Sequence, residues 1–200
     1  MLFRSGFHLG LAINDTLQSQ VETGYLYPFT MGDLLTVLAC PSKGYLLPCV
    51  GLDNQKDIML DGFLVMDGCR CRGFIPVEDS ESIVYIRNNM PPFHYALPYE
   101  ENNITMELHL KKTGNEVSYA DGQIQFCLYF DCKANLLYMN DNLAVDEALY
   151  QMIAEELRNT LTEEYMKVIE TSQKKYKCDY LKFHEDFRIK YPDVYKNMDW

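Results

Sequence analysis

The chain has 200 residues, of which 48% are apolar and 13% aromatic, so it can fill one large or two small hydrophobic cores. Its formal net charge of −11 would repel phosphate backbones and anionic lipid surfaces, which argues against nucleic acid as a partner. No stretch reaches the roughly 18–20 apolar residues that cross a bilayer, and the first residues do not resemble a signal peptide. The chain as written is therefore expected to be soluble.

The first half of the chain is predicted to contain a helix, a β-hairpin and a second helix. Residues Thr30–Cys40 carry apolar side chains at helical spacing. Ile58–Met66 and Cys69–Ile75 are predicted as strands joined at Asp67-Gly68, a dipeptide suited to the positive φ angles of a tight turn. A further helix is predicted to follow the hairpin and to run to about Asn88.

Prolines and consecutive polar residues interrupt the middle of the chain. Met90-Pro91-Pro92 and Leu97-Pro98 are followed by the polar run Glu100–Asn103, and such a stretch terminates regular structure. We therefore predict two domains, residues 1–95 and residues 96–200.

The second domain is predicted to open with an antiparallel sheet. Apolar residues alternate with polar ones from Ile104 to Lys111 and again over Gln123–Phe130, the pattern of half-buried strands. A short strand and a turn are predicted between them, within Asn115–Gly122.

A long amphipathic helix is predicted over residues 143–177. Its apolar residues recur at steps of three and four, at Val145, Leu149, Met152, Ile153, Leu157, Leu161, Tyr165, Val168 and Ile169. A shorter helix, Tyr180–Lys190, should stop before Pro192. The rings of Phe183, Phe187, Tyr191, Tyr195 and Trp200 can then pack as a block that completes the core of the second domain.

The seven cysteines are odd in number and scattered, which favours free thiols over a disulfide framework; they are Cys40, Cys49, Cys69, Cys71, Cys127, Cys132 and Cys178. Cys69 and Cys71 would share one strand face and could form a metal site with His94 or Cys49. Their Cys-x-Cys spacing is a weak signal, so thiols that fill small spaces are the preferred interpretation.

No other residues form a recognisable catalytic group. Of the histidines, His8 and His94 have no distinctive context, His109 falls on a polar strand face, and His184 is predicted to lie at the surface or in an interface. The aspartates Asp53, Asp57, Asp61 and Asp67 stand in turn-like contexts. The acids Glu155, Glu156, Glu163 and Glu164 are predicted to form a solvated helix face, with a docking surface as the alternative. Because nucleotide-binding and hydrolase motifs are also absent, we assign no catalytic, cofactor-binding or metal-binding residue.

The segment Gln173–Trp200 resembles the C-terminus of the GerC-type family, the C subunits of spore germinant receptors. The shared residues are Asp179, Phe183, Arg188, Tyr191-Pro192, Tyr195 and Trp200, in that order behind a long helix. Leu47-Pro48, Met59–Met66 and Gly73-Phe74-Ile75 resemble the family's middle domain, so the resemblance covers about residues 30–200. Residues 1–29 align with nothing, and His184 stands where the family pattern has a small residue.

The resemblance implies a non-enzymatic receptor subunit with an α+β fold. Each of the two domains would have a mostly antiparallel sheet with helices on one side, and the long helix would dominate the second. The implied partners are other germinant receptor subunits, which are membrane proteins, and no cofactor is implied. The full-length protein would be lipid-anchored on the outer face of the spore's inner membrane, whereas this chain carries neither the family's lipidated cysteine nor its N-terminal domain.

Two alternatives remain open from sequence. A cleft between the two domains could bind a small ligand or carry out a reaction. The chain could also be an assembly module unrelated to spores.

Overall fold

The computed structural model describes residues 6–22, 26, 30–39, 44–87, 92–99, 102–139, 146–198 and 200. Residue contacts divide the chain into two compact units, Met1–Arg87 with Ile169–Trp200, and Asn88–Val168. This grouping differs from the predicted domains 1–95 and 96–200 because residues 169–200 belong with the first unit. Of the residues on which the predicted boundary depends, Met90 and Pro91 lie outside the described residues, whereas Leu97-Pro98 does not end regular structure but lies within a strand, Phe93–Tyr99.

The first unit contains a three-stranded antiparallel sheet in the order β1-β2-β3. Its elements are helices α1 (Gly6–Glu22) and α2 (Met31–Ala39), strands β1 (Gly44–Leu52), β2 (Ile58–Asp67) and β3 (Arg70–Pro76), a 3₁₀ turn (Val77–Asp79) and helix α3 (Glu81–Arg87). The helix predicted over Thr30–Cys40 is confirmed. Thr30 begins it by accepting the backbone N–H of Asp33, while the Asp33 carboxylate accepts the backbone N–H of Thr30 at 2.8 Å, a reciprocal helix cap.

The β2–β3 hairpin is confirmed, but its turn is one residue later than predicted. Asp67 pairs with Arg70, so the two turn residues are Gly68 and Cys69, and Gly68 takes the positive φ of 57°. Asp67 instead ends the strand and forms an ion pair with Arg72. The predicted role of Asp53 in a turn is confirmed, because its Oδ1 atom accepts the backbone N–H groups of Gln55 and Asp57, both at 2.8 Å.

The second unit contains a second antiparallel sheet, in the order β4-β5-β6. Its strands are β4 (Phe93–Tyr99), β5 (Asn102–Ala120) and β6 (Gln123–Tyr138). The alternation predicted from Ile104 is confirmed, because Ile104, Met106 and Leu108 are each 1% exposed. The separate short strand predicted within Asn115–Gly122 is wrong: a bulge near Leu110 lets β5 continue to Ala120, and the turn follows at Asp121-Gly122, both with positive φ.

The predicted long helix is confirmed as α4 (Glu147–Glu170), which continues as a π-helical turn over Thr171–Tyr176. Lys177 ends it with a φ of 49°, and the backbone N–H of Cys178 bonds to the Ser172 carbonyl oxygen at 3.2 Å. The predicted start of the helix at residues 143–145 lies outside the described residues.

The last helices are α5 (Phe183–Lys190) and α6 (Pro192–Tyr195). Helix α5 was predicted from Tyr180, but the positive φ of Lys182, 63°, is incompatible with an α-helix and delays its start. Its predicted end before Pro192 is confirmed. Together the elements form the predicted α+β fold. None of the helices in the described ranges has the length and apolar character of a membrane span.

Candidate functional site

The C-terminal tail, residues 171–200, is attached to the sheet of the first unit. The Tyr176 hydroxyl donates to the Phe74 carbonyl oxygen at 2.8 Å, and the Cys178 thiol lies 3.2 Å from the Met66 carbonyl oxygen. Gly73 makes room for this contact, because an added Cβ would lie 2.4 Å from the Tyr176 ring. The tail thus completes the core of the first unit, and the prediction that it completes the core of the second is wrong.

The aromatic rings of the tail pack as the predicted block, centred on Phe187. Its ring centroid lies 5.3 Å from that of Tyr191, 6.4 Å from Tyr195 and 5.7 Å from Trp200. Phe187 itself is 0% exposed. Rings at such distances and tilts add to the stability that their burial provides. The centre of the block, Phe187, is therefore core, whereas Trp200 at its edge is 40% exposed.

Asp179 organises this block by accepting four hydrogen bonds. Its carboxylate accepts the backbone N–H groups of Phe183 (3.1 Å) and His184 (2.8 Å), which open α5. The ring Nδ1 of His184 and the indole Nε1 of Trp200 donate to Oδ2 at 2.9 and 3.1 Å. Burial alone would raise the pKa of the Asp179 carboxyl, but the hydrogen bonds from His184 and Phe183 and the charge of the His184 ring outweigh it and lower the pKa.

His184 is 4% exposed, so its predicted surface position is wrong. The reason is local: capping by Asp179 fixes the first turn of α5 and brings the His184 ring against the same carboxylate. A sequence pattern of helical spacing alone does not reveal this contact. The position fits a buried structural histidine better than an interface residue.

The apolar face of the second sheet is buried at one part of β5 and only half-buried along β6. On β5, Ile104, Met106 and Leu108 are fully buried, and Tyr95 on β4 is held by a hydrogen bond from its hydroxyl to Glu164 of α4 at 3.0 Å. On β6 every second residue from Ile124 to Cys132 is only half-buried. These positions on β6 are thus less well covered than Ile104, Met106 and Leu108 on β5.

A groove of about 640 Å³ lies between β6 and α4. Leu128, Phe130 and Leu136 line it from the sheet, and Tyr150, Ala154 and Leu161 line it from the helix. The rings of Phe130 and Tyr165 meet at one point in it, with centroids 4.5 Å apart. The helical stripe predicted from sequence includes Leu161, but the stripe alone does not distinguish covered from open positions.

Two titratable groups of the groove lining, the Cys132 thiol and the Tyr165 hydroxyl, are affected by their burial. Burial raises the pKa of the Cys132 thiol, and it raises the pKa of the Tyr165 hydroxyl strongly. Both groups therefore stay protonated at neutral pH and are poor nucleophiles. Asp131 and Arg158 are the charged residues of the lining.

The remaining thiols of the described ranges lie at separate positions in the fold. Cys69 and Cys71 are exposed, so the interpretation that they fill small spaces is wrong; the one-residue displacement of the turn puts Cys69 in the loop. Burial raises the pKa of the Cys49 thiol and raises that of Cys178 to about 11. Among the described residues, no three metal-ligating side chains come together. Cys40 and the side chain of His8 lie outside this part of the chain.

His109 lies on the polar face of the second sheet, as predicted, but it is bonded rather than simply solvated. Its Nε2 atom is 2.7 Å from Glu107 Oε2 and 3.2 Å from Asn135 Nδ2. The hydrogen bond from His109 is the main reason that the pKa of the Glu107 carboxyl is lowered. This contact supports the pairing of β5 with β6, in which Glu107 and Asn135 are partners.

Comparison with known proteins identifies a family and a fold. The family described as "Spore germination B3/ GerAC like, C-terminal" matches residues 61–200. Among solved structures, the crystal structure of the GerBC protein is similar, with a TM-score of 0.74, 18% sequence identity, and coverage of 86% of this chain and 54% of that chain. The chain thus spans about half the length of the GerBC protein, and at this identity the likeness concerns the fold.

No curated protein matches the chain. The family match covers the tail, the second sheet, α4 and most of β2, and it agrees with the resemblance carried by Gln173–Trp200. The chain therefore belongs to the spore germination B3/GerAC-like family, of which it carries the C-terminal region.

Proposed function

We propose that this chain is part of a spore germinant receptor C subunit that contributes to the response to nutrient germinants through protein contacts, without a reaction of its own. The single observation that carries the proposal is the family match over residues 61–200. The likeness of the fold to the GerBC protein supports it.

The chemistry of the described side chains also favours a role in contacts. A catalytic cysteine needs a lowered thiol pKa and a nearby base, whereas burial raises the pKa of Cys49, Cys132 and Cys178. The buried histidine, His184, is already bonded to Asp179. The groove of the second unit, lined by apolar side chains with a few polar ones, is instead a surface suited to a partner.

The partners in this proposal are the membrane subunits of the same receptor. In the full-length protein a lipid anchor would hold the subunit at the outer face of the spore's inner membrane, close to them. The charge of −11 opposes direct adsorption to anionic lipids, so contact with the membrane would depend on the anchor and on the partner subunits.

The proposal is tested by co-purification from spores. The intact protein, tagged and produced from its own locus, is solubilised from spore membranes with detergent and isolated, and the co-purifying proteins are identified by mass spectrometry. We expect membrane subunits of a germinant receptor. Recovery of intact tagged protein with none of them, under conditions that preserve a second, known membrane complex, would contradict the proposal.

A further inference from the structure

The geometry points to the groove between β6 and α4 as the docking site for a basic amphipathic helix of a protein partner. We infer this on the basis of the proposed function, which it deepens by naming the surface and the chemistry of the partner. The inference depends on the shape of the groove, its apolar lining and the charge of the unit around it.

The apolar face of the second sheet is covered unevenly. Met106 and Leu108 on β5 are 1% exposed, whereas their partners on β6, Leu136 and Ala134, are half-buried and exposed. On the facing helix, Tyr150 is 49% exposed although it lines the groove. Apolar side chains on both walls thus lack the full cover that the β5 side of the same layer has.

The groove has a length and width that suit one helix. The helix wall runs from Tyr150 to Tyr165, which at 1.5 Å per residue is about 22 Å long. Strands are spaced about 4.8 Å apart, so one helix about 10 Å wide covers roughly two strands. Since α4 contacts β4 through Glu164 and leaves the apolar positions of β6 half-buried, a second helix beside it would cover β6 at the usual interaxial distance of about 8–10 Å. This is the helix-in-groove mode of recognition.

The unit that contains the groove is strongly acidic. Residues 88–168 include 13 acidic and five basic side chains, a formal charge of −8 out of −11 for the chain. Near the groove, Asp131 is exposed in the lining, and the exposed Glu147 and Glu155 lie one helical turn before Tyr150 and Arg158. Arg158 is the one basic residue of the lining.

This charge selects among possible occupants. A second copy of the chain would also carry a formal charge of −11, and like charges oppose such a contact. Anionic lipid and nucleic acid are disfavoured for the same reason. A helix with apolar residues on one face and Lys or Arg on its flanks complements both the lining and the surrounding field.

The test uses the purified 200-residue chain and two synthetic probes. Each probe is a fluorescent helical peptide of about 15 residues, the length that spans the groove. Both probes carry Leu on one face. The remaining positions are Lys in the first probe, called the Lys probe, and Glu in the second, called the Glu probe. Binding is measured by fluorescence anisotropy. We expect the Lys probe to bind at least about tenfold more tightly than the Glu probe, and its affinity to fall as salt screens the charges.

Substitutions on α4 test whether the Lys probe binds in the groove. Ala154→Arg puts bulk and positive charge into the groove from an exposed position, and Thr162→Arg is a second variant of the same design. Asn159→Arg is the matched control, because it is exposed on the same helix but about 140° around from Ala154. We expect the groove variants to weaken the Lys probe at least about tenfold and the control to leave it within about twofold. Thermal unfolding of each variant checks that it is folded.

Several results would overturn the inference. They are no binding of the Lys probe up to about 1 mM, equal binding of the Glu probe, or equal effects of Ala154→Arg and Asn159→Arg. A wild-type dimer that Ala154→Arg dissociates would give the groove to a second copy instead.

The proposed function is judged separately, by the co-purification of the wild-type protein. If Ala154→Arg and Thr162→Arg recover the receptor subunits as well as wild type does, the groove inference fails and the proposed function stands. If wild type recovers none while the Lys probe binds in the groove, the proposed function fails and the groove is still a site for a basic helix.

Discussion

The tail of the first unit and the groove of the second are both made of apolar and aromatic side chains at regular spacing, yet one is closed and the other open. Phe187 in the tail is 0% exposed and surrounded by rings, with Asp179 satisfying the donors at its edge. On β6, by contrast, every second residue is half-buried beside α4. The difference shows that apolar periodicity identifies a face that avoids water, whereas the neighbouring elements determine whether that face becomes core or binding surface.

The largest loss of stability is expected from a substitution in the core of the tail. Phe187→Ala removes the centre of the aromatic block and should lower the free energy of unfolding by about 3–5 kcal/mol. Ile189→Ala is the control two residues on, 74% exposed in α5, and should change it by less than about 0.5 kcal/mol. Chemical denaturation followed by circular dichroism measures both. Equal effects would mean that the tail is not the closed core described here.

The second prediction compares the two sides of one sheet face. Leu108→Ala on β5 should cost about 2–5 kcal/mol because that side chain is fully buried. Leu128→Ala on β6 should cost about 1 kcal/mol, since Leu128 is half-buried in the groove wall. The same denaturation experiment compares them. A cost for Leu128→Ala equal to that for Leu108→Ala would show that the groove is closed in solution.

The third prediction concerns Asp179 and pH. Because its folded-state pKa is lowered, its stabilisation is full well above the unfolded-state pKa of about 4 and is lost as pH falls through the folded-state pKa. Asp179→Asn keeps the shape and removes the charge, at an expected cost of about 1–2 kcal/mol at neutral pH.

The free energy of unfolding is measured for wild type and Asp179→Asn between neutral pH and about pH 3. The difference between the two should shrink as the pH falls. Asp193→Asn serves as the control, since Asp193 is an exposed carboxylate of the same tail. A constant difference across the pH range would contradict the assigned role of the carboxylate.

The smallest effect on stability is expected in the open region. Ala154→Arg should change the free energy of unfolding by less than about 0.5 kcal/mol, because Ala154 is exposed in the groove wall. Its effect should fall on binding instead. A loss of more than about 2 kcal/mol would mean that the position is packed in solution, and the contrast between tail and groove would then fail.

Local patterns predicted much of the fold. The spacing in Met31–Ala39, the alternation from Ile104 and the long apolar stripe of α4 each reflect a single element that hides one face from water, so the sequence alone contains the signal. The family resemblance of Gln173–Trp200 was confirmed for the same kind of reason, since the order of its residues is itself the pattern.

Other features depend on atoms brought together by folding. The hairpin turn moved to Gly68-Cys69 because pairing of Asp67 with Arg70 fixed the register. His184 became buried because the Asp179 carboxylate capped the first turn of α5. The tail packed on the first unit through contacts more than 100 residues apart in sequence, such as Tyr176 with Phe74. The groove exists because α4 leaves β6 partly uncovered, which no spacing within α4 or β6 encodes.

The most direct test of the receptor assignment is the germination response of spores that lack this gene. Spores of the deletion strain, of the wild type and of a strain complemented with the wild-type gene are exposed to the same mixture of nutrients, and germination is followed by the loss of optical density. We predict a slower or absent response in the deletion strain, to at least one nutrient, that complementation restores. An unchanged response of the deletion strain to every nutrient tested would contradict the assignment.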